Sequence, residues 1–292
     1  MPARVPRVTK TEAVVLKRRR FGDSDRIVTL LTPARGKLDA IAKGALRPRS
    51  KLAGHLEPMT HVEVVLAHGR TLGIVTQAQT IEPFAALRDD LERLSAGLYL
   101  LELADRFTVE EAEADAAYVL LLTALLRLLR GDGQQLVVRS FELALLEATG
   151  FRPEWQRCAA CRAEVAADGL VWSPLAGGLL CERCRESHPE SERIDVSVVK
   201  VLRLIQDAPY EEAARVRLNQ RVAAGMEGVM HDLVRAMAER DLGSARFLAA
   251  VRHTRPGNDV GDDSSSEDPA SLNGDVTYTP QEPQGASGQT GS

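Results

Sequence analysis

Two cysteine pairs, Cys158-x2-Cys161 and Cys181-x2-Cys184, stand 19 residues apart, and the chain has no other cysteine. Four thiolates presented from two tight turns can complete a tetrahedron around zinc, and this spacing falls within the range of structural zinc sites. Between the pairs, Val171-Trp172-Ser173 and Gly177-Gly178-Leu179-Leu180 can supply the hairpin of a ribbon. Disulfides would need an oxidising compartment, and residues 1–10 lack the apolar run of a secretory signal. A redox dithiol would need a βαβ setting that the flanking sequence does not offer. His188 is close enough to be a spare ligand, but four cysteines already suffice. The expectation is one structural Zn2+ held by Cys158, Cys161, Cys181 and Cys184. Such a closed site has no open position for a reacting water.

Sequence on either side of this segment changes its period. Over the first 80 residues, short runs rich in Val, Ile, Leu and Thr at 13–16, 26–31, 37–42, 62–66 and 71–76 alternate with turn signals such as Gly22-Asp23 and His68-Gly69. Five short strands in that length fit a small barrel of the OB type. From Pro83 the period is helical: Leu87, Leu91, Leu94, Leu98 and Leu101 recur at three and four. Further helices are expected over 115–130, 134–149, 195–206 and 219–240. Leucines cover most of the circumference of 115–130, which predicts a central helix. The apolar run 116–126 is about half of the roughly 20 residues a membrane crossing needs, so no membrane association is expected. The fold class is therefore α+β: an N-terminal OB-fold barrel, then a helical bundle with an inserted four-cysteine zinc ribbon. The expected division is 1–82, 83–256 with the ribbon at about 155–188, and 257–292. That last stretch is rich in Gly, Asp, Ser, Pro and Gln and reads as an acidic disordered tail.

Charge is segregated along the chain. The overall charge is −4, yet residues 1–81 carry 15 Lys and Arg against 6 Asp and Glu, while 257–292 carry 7 acidic residues and no basic one. A basic domain within an acidic protein is the footprint of a polyanion partner, most often nucleic acid. The candidate contacts are Arg18, Arg19 and Arg20, then Arg35, Lys37 and Lys43, then the loop residues Arg47, Arg49 and Lys51. Residues 1–81 hold one aromatic residue, Phe21. Base stacking on aromatic platforms is thus expected to be minor, and the grip electrostatic, salt-dependent and indifferent to sequence. Bases left free would suit strand annealing. Phosphate contacts do not distinguish DNA from RNA, so a zinc-ribbon and OB factor acting on RNA or in transcription stays open at this point.

No catalytic pattern is evident. The chain lacks G-x-x-x-x-G-K-[ST], H-E-x-x-H and G-x-S-x-G. His61-Val62-Glu63 echoes a zinc deaminase motif, but no proline precedes Cys158 or Cys181. An enzyme is not expected.

Several short motifs, in order, resemble the RecO family of bacterial repair and recombination mediators. They are Val28-Thr29-Leu30-Leu31-Thr32-Pro33-Ala34-Arg35-Gly36-Lys37-Leu38, Ala42-Lys43-Gly44, Phe141-Glu142-Leu143-Ala144-Leu145-Leu146 and Gly150-Phe151-x-Pro153. Gly178-Leu179-Leu180-Cys181 and Ser244-Ala245-Arg246-Phe247-Leu248 follow. The resemblance spans about 9–251, with no family counterpart expected for the acidic stretch. It implies a non-catalytic protein of the RecF/RecOR pathway in the bacterial cytoplasm, at the nucleoid. Such a protein binds single- and double-stranded DNA and anneals complementary strands. It also engages single-stranded DNA-binding protein and works with RecR to load RecA.

Overall fold

A computed structural model describes residues 8–69, 72–109, 114–166 and 168–238. Five strands come first: β1 (Val8–Phe21), β2 (Asp25–Thr32), β3 (Gly36–Ala42), β4 (His61–Ala67) and β5 (Gly73–Glu82). Their hydrogen-bonded order is β1-β2-β3-β5-β4, and β1 also pairs with β4, so the order comes round on itself as a small barrel. The thinnest seam is the parallel match of Ala40 with Gly73 and Ile41 with Ile74.

β1 runs well past the expected 13–16 at both ends. Its first half pairs with β4 and its second half with β2, across an irregularity between Val15 and Lys17. Backbone pairing on both flanks carries Lys10, Lys17, Arg18 and Arg19 into the strand although side-chain pattern alone leaves them out. In β2 the six residues from Ile27 to Thr32 are all buried. Val28 and Leu30 fill the barrel, together with Ala13, Val15, Leu38, Val62 and Val64. Val14, Leu16 and Leu31 face outward but are buried too, against the helices. Burial on both faces is why these strands read as continuous apolar runs.

The helices follow: α1 (Ala85–Arg88), α2 (Leu91–Phe107), α3 (Asp115–Arg130) and α4 (Gln134–Ala148). The Asp90 carboxylate caps α2, accepting from the Glu92 and Arg93 N–H groups at 2.9 and 3.1 Å. Gly131, with φ at 91°, ends α3. Next comes the ribbon, with β6 (Val171–Ser173), β7 (Gly178–Leu180), the single turn α5 (Glu182–Arg185) and β8 (Glu192–Arg193). The chain then forms α6 (Val196–Asp207), α7 (Tyr210–Ala213) and α8 (Gln220–Ala238). The helix starts agree with the sequence expectation to within a residue. The expected central place of α3 does not hold. Leu121, Leu125 and Leu128 are buried, but Val119 and Leu126 point outward, 51% and 37% exposed.

One apolar cluster runs from the outer face of the barrel through the helices to Trp155 and Trp172 of the ribbon. Gly97 of α2 makes the barrel contact close, since a Cβ there would stand 2.4 Å from the Met59 sulfur. Among the described residues no helix is long and apolar enough to cross a membrane. The acidic stretch 257–292 and the 244–248 motif lie outside the described residues, as do the last two residues of the helix expected to reach 240.

Candidate metal centre and nucleic-acid interface

The ribbon is built on a backbone crossing. The Glu154 N–H donates to the Gly177 carbonyl, and the Leu179 N–H donates to the Glu154 carbonyl, both at 2.9 Å. Only glycine fits at 178, because a Cβ would stand 2.2 Å from the Glu154 carbonyl oxygen. Beneath the crossing the Trp155 and Trp172 rings pack with centroids 6.2 Å apart. α6 holds the base of the ribbon, with Arg203 Nε donating to the Trp155 carbonyl at 2.7 Å.

Two turns then bring the cysteines together. The first closes with the Arg162 N–H donating to the Cys158 carbonyl at 2.8 Å. The second closes with the Cys184 and Arg185 N–H groups donating to the Cys181 carbonyl at 3.1 and 3.0 Å. All four sulfurs lie within 4.8 Å of one another, with Cys161 and Cys181 at 3.6 Å. Zinc–sulfur bonds of about 2.3 Å in a tetrahedron place sulfurs roughly 3.8 Å apart, so the set fits a metal ion closely. Disulfide sulfurs would be about 2 Å apart, and all four cysteines are free thiols.

The thiols do not ionise alike. Burial opposes the charged form of Cys158, but N–H groups of Cys181, Cys161 and Ala160 outweigh it and lower the pKa to about 6. Cys161 is lowered by the Ala163 N–H. Cys184, hydrogen-bonded to the sulfurs of Cys161 and Cys181, is pushed up to about 12 and keeps its proton in the metal-free cluster. The backbone is thus arranged for sulfur anions, the form that binds metal. His188 is not in the cluster; its Nδ1 lies 2.9 Å from the Cys184 carbonyl. His61, in the deaminase-like echo, is occupied at the barrel–helix interface. Its Nε2 sits 3.1 Å from Glu12 and 3.0 Å from the Tyr118 hydroxyl.

The basic residues fall into two groups at opposite ends of β2, roughly 20 Å apart at about 3.3 Å per residue. At one end the β1–β2 hairpin turns through Gly22, whose φ of 61° favours glycine. The loop after β3 docks on that tip: the Leu46 N–H donates to the Ser24 carbonyl at 2.8 Å, and the Gly44 N–H to the Asp25 carboxylate at 2.7 Å. The Gly44 bond is the main reason the Asp25 pKa is lowered; Lys43 and Arg47 add to it. Docking brings exposed Lys43, Arg47, Arg49 and Lys51 beside exposed Arg19 and Arg20. Arg19 reaches Asp39 at 3.4 Å and Arg20 Nε donates to the Gly22 carbonyl at 3.2 Å. Arg18 is half-buried and ion-paired with Glu57.

Arg35 and Lys37 lie at the other end. Arg35 is exposed in the β2–β3 turn. The Lys37 side chain is only 14% exposed and points into Asp105 of α2. Lys17 joins the same carboxylate at 2.6 Å. The role of Lys37 in joining the domains was not legible from its neighbours, because Asp105 is 68 residues away.

Two family models divide the chain between them: Recombination protein O N terminal over residues 7–84, and Recombination protein O C terminal over 88–246. The chain belongs to the RecO family. The DNA repair protein RecO of Roseiflexus sp. (strain RS-1) is 38% identical over 280 residues, covering 96% of this chain and 99% of the relative. That of Dehalococcoides mccartyi (strain CBDB1) is 34% identical over 247 residues, 85% of this chain and 97% of the relative. That of Nocardioides sp. is 42% identical over 182 residues, 60% of this chain and 74% of the relative. The Roseiflexus match leaves only about a dozen residues of this chain outside it. Most of 257–292 therefore has a counterpart in at least one RecO protein, contrary to the expectation from the motifs.

Proposed function

We propose that this RecO-family chain is a non-catalytic mediator of recombinational DNA repair that binds DNA through its barrel. The observation that carries this is the docking of the 43–51 loop on the β1–β2 hairpin. It brings six exposed cations, Arg19, Arg20, Lys43, Arg47, Arg49 and Lys51, to one end of the barrel. Such a surface suits phosphates of either single- or double-stranded DNA, since phosphate contacts carry no sequence information. Arg35 is placed to extend contact along the barrel. Arg18 and Lys37 serve the site indirectly, by holding the strands and the helices that frame it.

Residues 1–82 are then the DNA-binding unit and 83–256 the unit that carries the ribbon. In the ribbon, Cys158, Cys161, Cys181 and Cys184 would hold one Zn2+. With four protein ligands the ion has no free position for substrate, so its contribution is to fold the ribbon onto α6. The names of the relatives support a role in DNA repair. The family supports the finer reading: strand annealing, engagement of single-stranded DNA-binding protein, and action with RecR in loading RecA at the bacterial nucleoid.

The test is annealing of complementary oligonucleotides, bare and coated with single-stranded DNA-binding protein. Wild-type protein should accelerate both reactions. The combined Arg47→Glu, Arg49→Glu, Lys51→Glu variant should lose most of the acceleration while keeping its thermal stability. Full annealing by that variant would show that DNA is held elsewhere.

A further inference from the structure

We propose that Phe21 stacks on an unpaired base of the strand whose phosphates the neighbouring basic loop holds. Phe21 is the one aromatic residue among the first 81, and it ends β1 at the tip of the hairpin, 45% exposed. A large apolar ring at the end of a strand flanked by arginines has no part in either apolar core of the chain.

Its surroundings name the ligand. Phe21 pairs across the hairpin with Asp25, and the Asp25 carboxylate accepts the Gly44 N–H that anchors the basic loop. Arg47 folds back over Gly44, its side chain 3.4 Å from where a Cβ of residue 44 would lie. On the strand itself, Arg19 shares Phe21's face, two residues away. The aromatic ring and the cations are thus brought together by backbone hydrogen bonds rather than by sequence proximity alone.

An apolar pocket on a protein partner could cover a phenyl ring, but this ring is ringed by positive charge. A nucleobase is the apolar surface that arrives attached to phosphates, and cationic grooves with aromatic platforms are the general means of holding single strands. Duplex bases are already stacked on one another, so the contribution is confined to unpaired DNA. A single ring gives one stacking contact, which leaves the remaining bases available for pairing. The inference rests on the reading of the barrel as the DNA-binding unit.

The test uses full-length protein and matched single-stranded and duplex oligonucleotides at moderately high salt, where the phosphate contribution is reduced. Phe21→Ala should weaken single-strand binding roughly five- to thirtyfold, from the usual effect of removing one stacking side chain, and leave duplex binding unchanged. Phe21→Trp should bind at least as well, and its emission should be quenched by oligo-dT, against Trp155 and Trp172, which are buried. Unchanged single-strand affinity for Phe21→Ala would overturn the stacking role. An equal loss on single strand and duplex would do the same, since it would mean that Phe21 only props the hairpin. The Arg47, Arg49 and Lys51 reversal separates the two readings. If it abolishes binding while Phe21→Ala does nothing, the barrel still binds DNA and only stacking fails. If neither variant affects binding, both readings fail.

Discussion

The Lys37 ammonium donates to the backbone carbonyl of Asp105 at 2.5 Å and lies 3.4 Å from its carboxylate, joining the barrel to α2. A lysine in the most basic part of the chain is thereby used for domain assembly. Lys17 reaches the same carboxylate from β1 at 2.6 Å. Asp105→Ala leaves the largely buried Lys37 with one carbonyl partner and is expected to cost about 1–3 kcal/mol. Most of that comes from Lys37, because Lys17 is well exposed and its pair is worth under about 1 kcal/mol. Urea unfolding measures this, and an unshifted midpoint would mean that the contact does not hold the domains together.

A second joint lies inside the helical domain. The Glu142 side chain is fully buried and accepts from Arg139 Nη2 at 2.9 Å and from the Tyr99 hydroxyl at 2.6 Å. Burial, reinforced by the Glu142 charge, raises the Tyr99 pKa well above its ordinary value, so Tyr99 remains a neutral donor at any physiological pH. Glu142→Ala strands the buried Arg139 and should destabilise the fold by about 3–5 kcal/mol. The double replacement Arg139→Met, Glu142→Leu removes both charges and should cost much less. Equal losses for the single and double variants would contradict this origin of the effect.

The ribbon should depend on its metal and on its crossing. Purified protein is expected to contain one zinc per chain. Cys181→Ser removes a ligand, and Gly178→Ala forces the Glu154 backbone away from β7. Both should shed zinc to a chelator far faster than wild type, while oligonucleotide binding by the barrel changes little. Elemental analysis that finds no metal in the wild-type protein would overturn the zinc assignment.

Most of this architecture was legible in the sequence, for identifiable reasons. The helix starts were marked by Asp90, Gly131 and Gly133 and by leucines at helical spacing, all of which act within a turn or two. The cysteine cluster was legible because ligand spacing is itself the constraint. Three features were not legible. The full length of β1 depends on partners 15 to 60 residues away, and pairing with them overrides the polarity of Lys10 and Arg18. The outward stripe of α3 depends on where α2 and α4 leave its surface uncovered. The position of Phe21 beside the 43–51 loop depends on the bond between Asp25 and Gly44, which no local pattern announces.

The central claim is that cations at the hairpin and 43–51 loop hold DNA by its phosphates. The most direct measurement is the affinity for a mixed-sequence single strand as a function of salt. Five or six neutralised phosphates, at about −0.7 each, give a log–log slope of about −4. The Arg47, Arg49 and Lys51 reversal should flatten that slope by about 2 and weaken binding alike for all sequences. A wild-type slope near zero, or a reversal variant with the full slope, would contradict the claim.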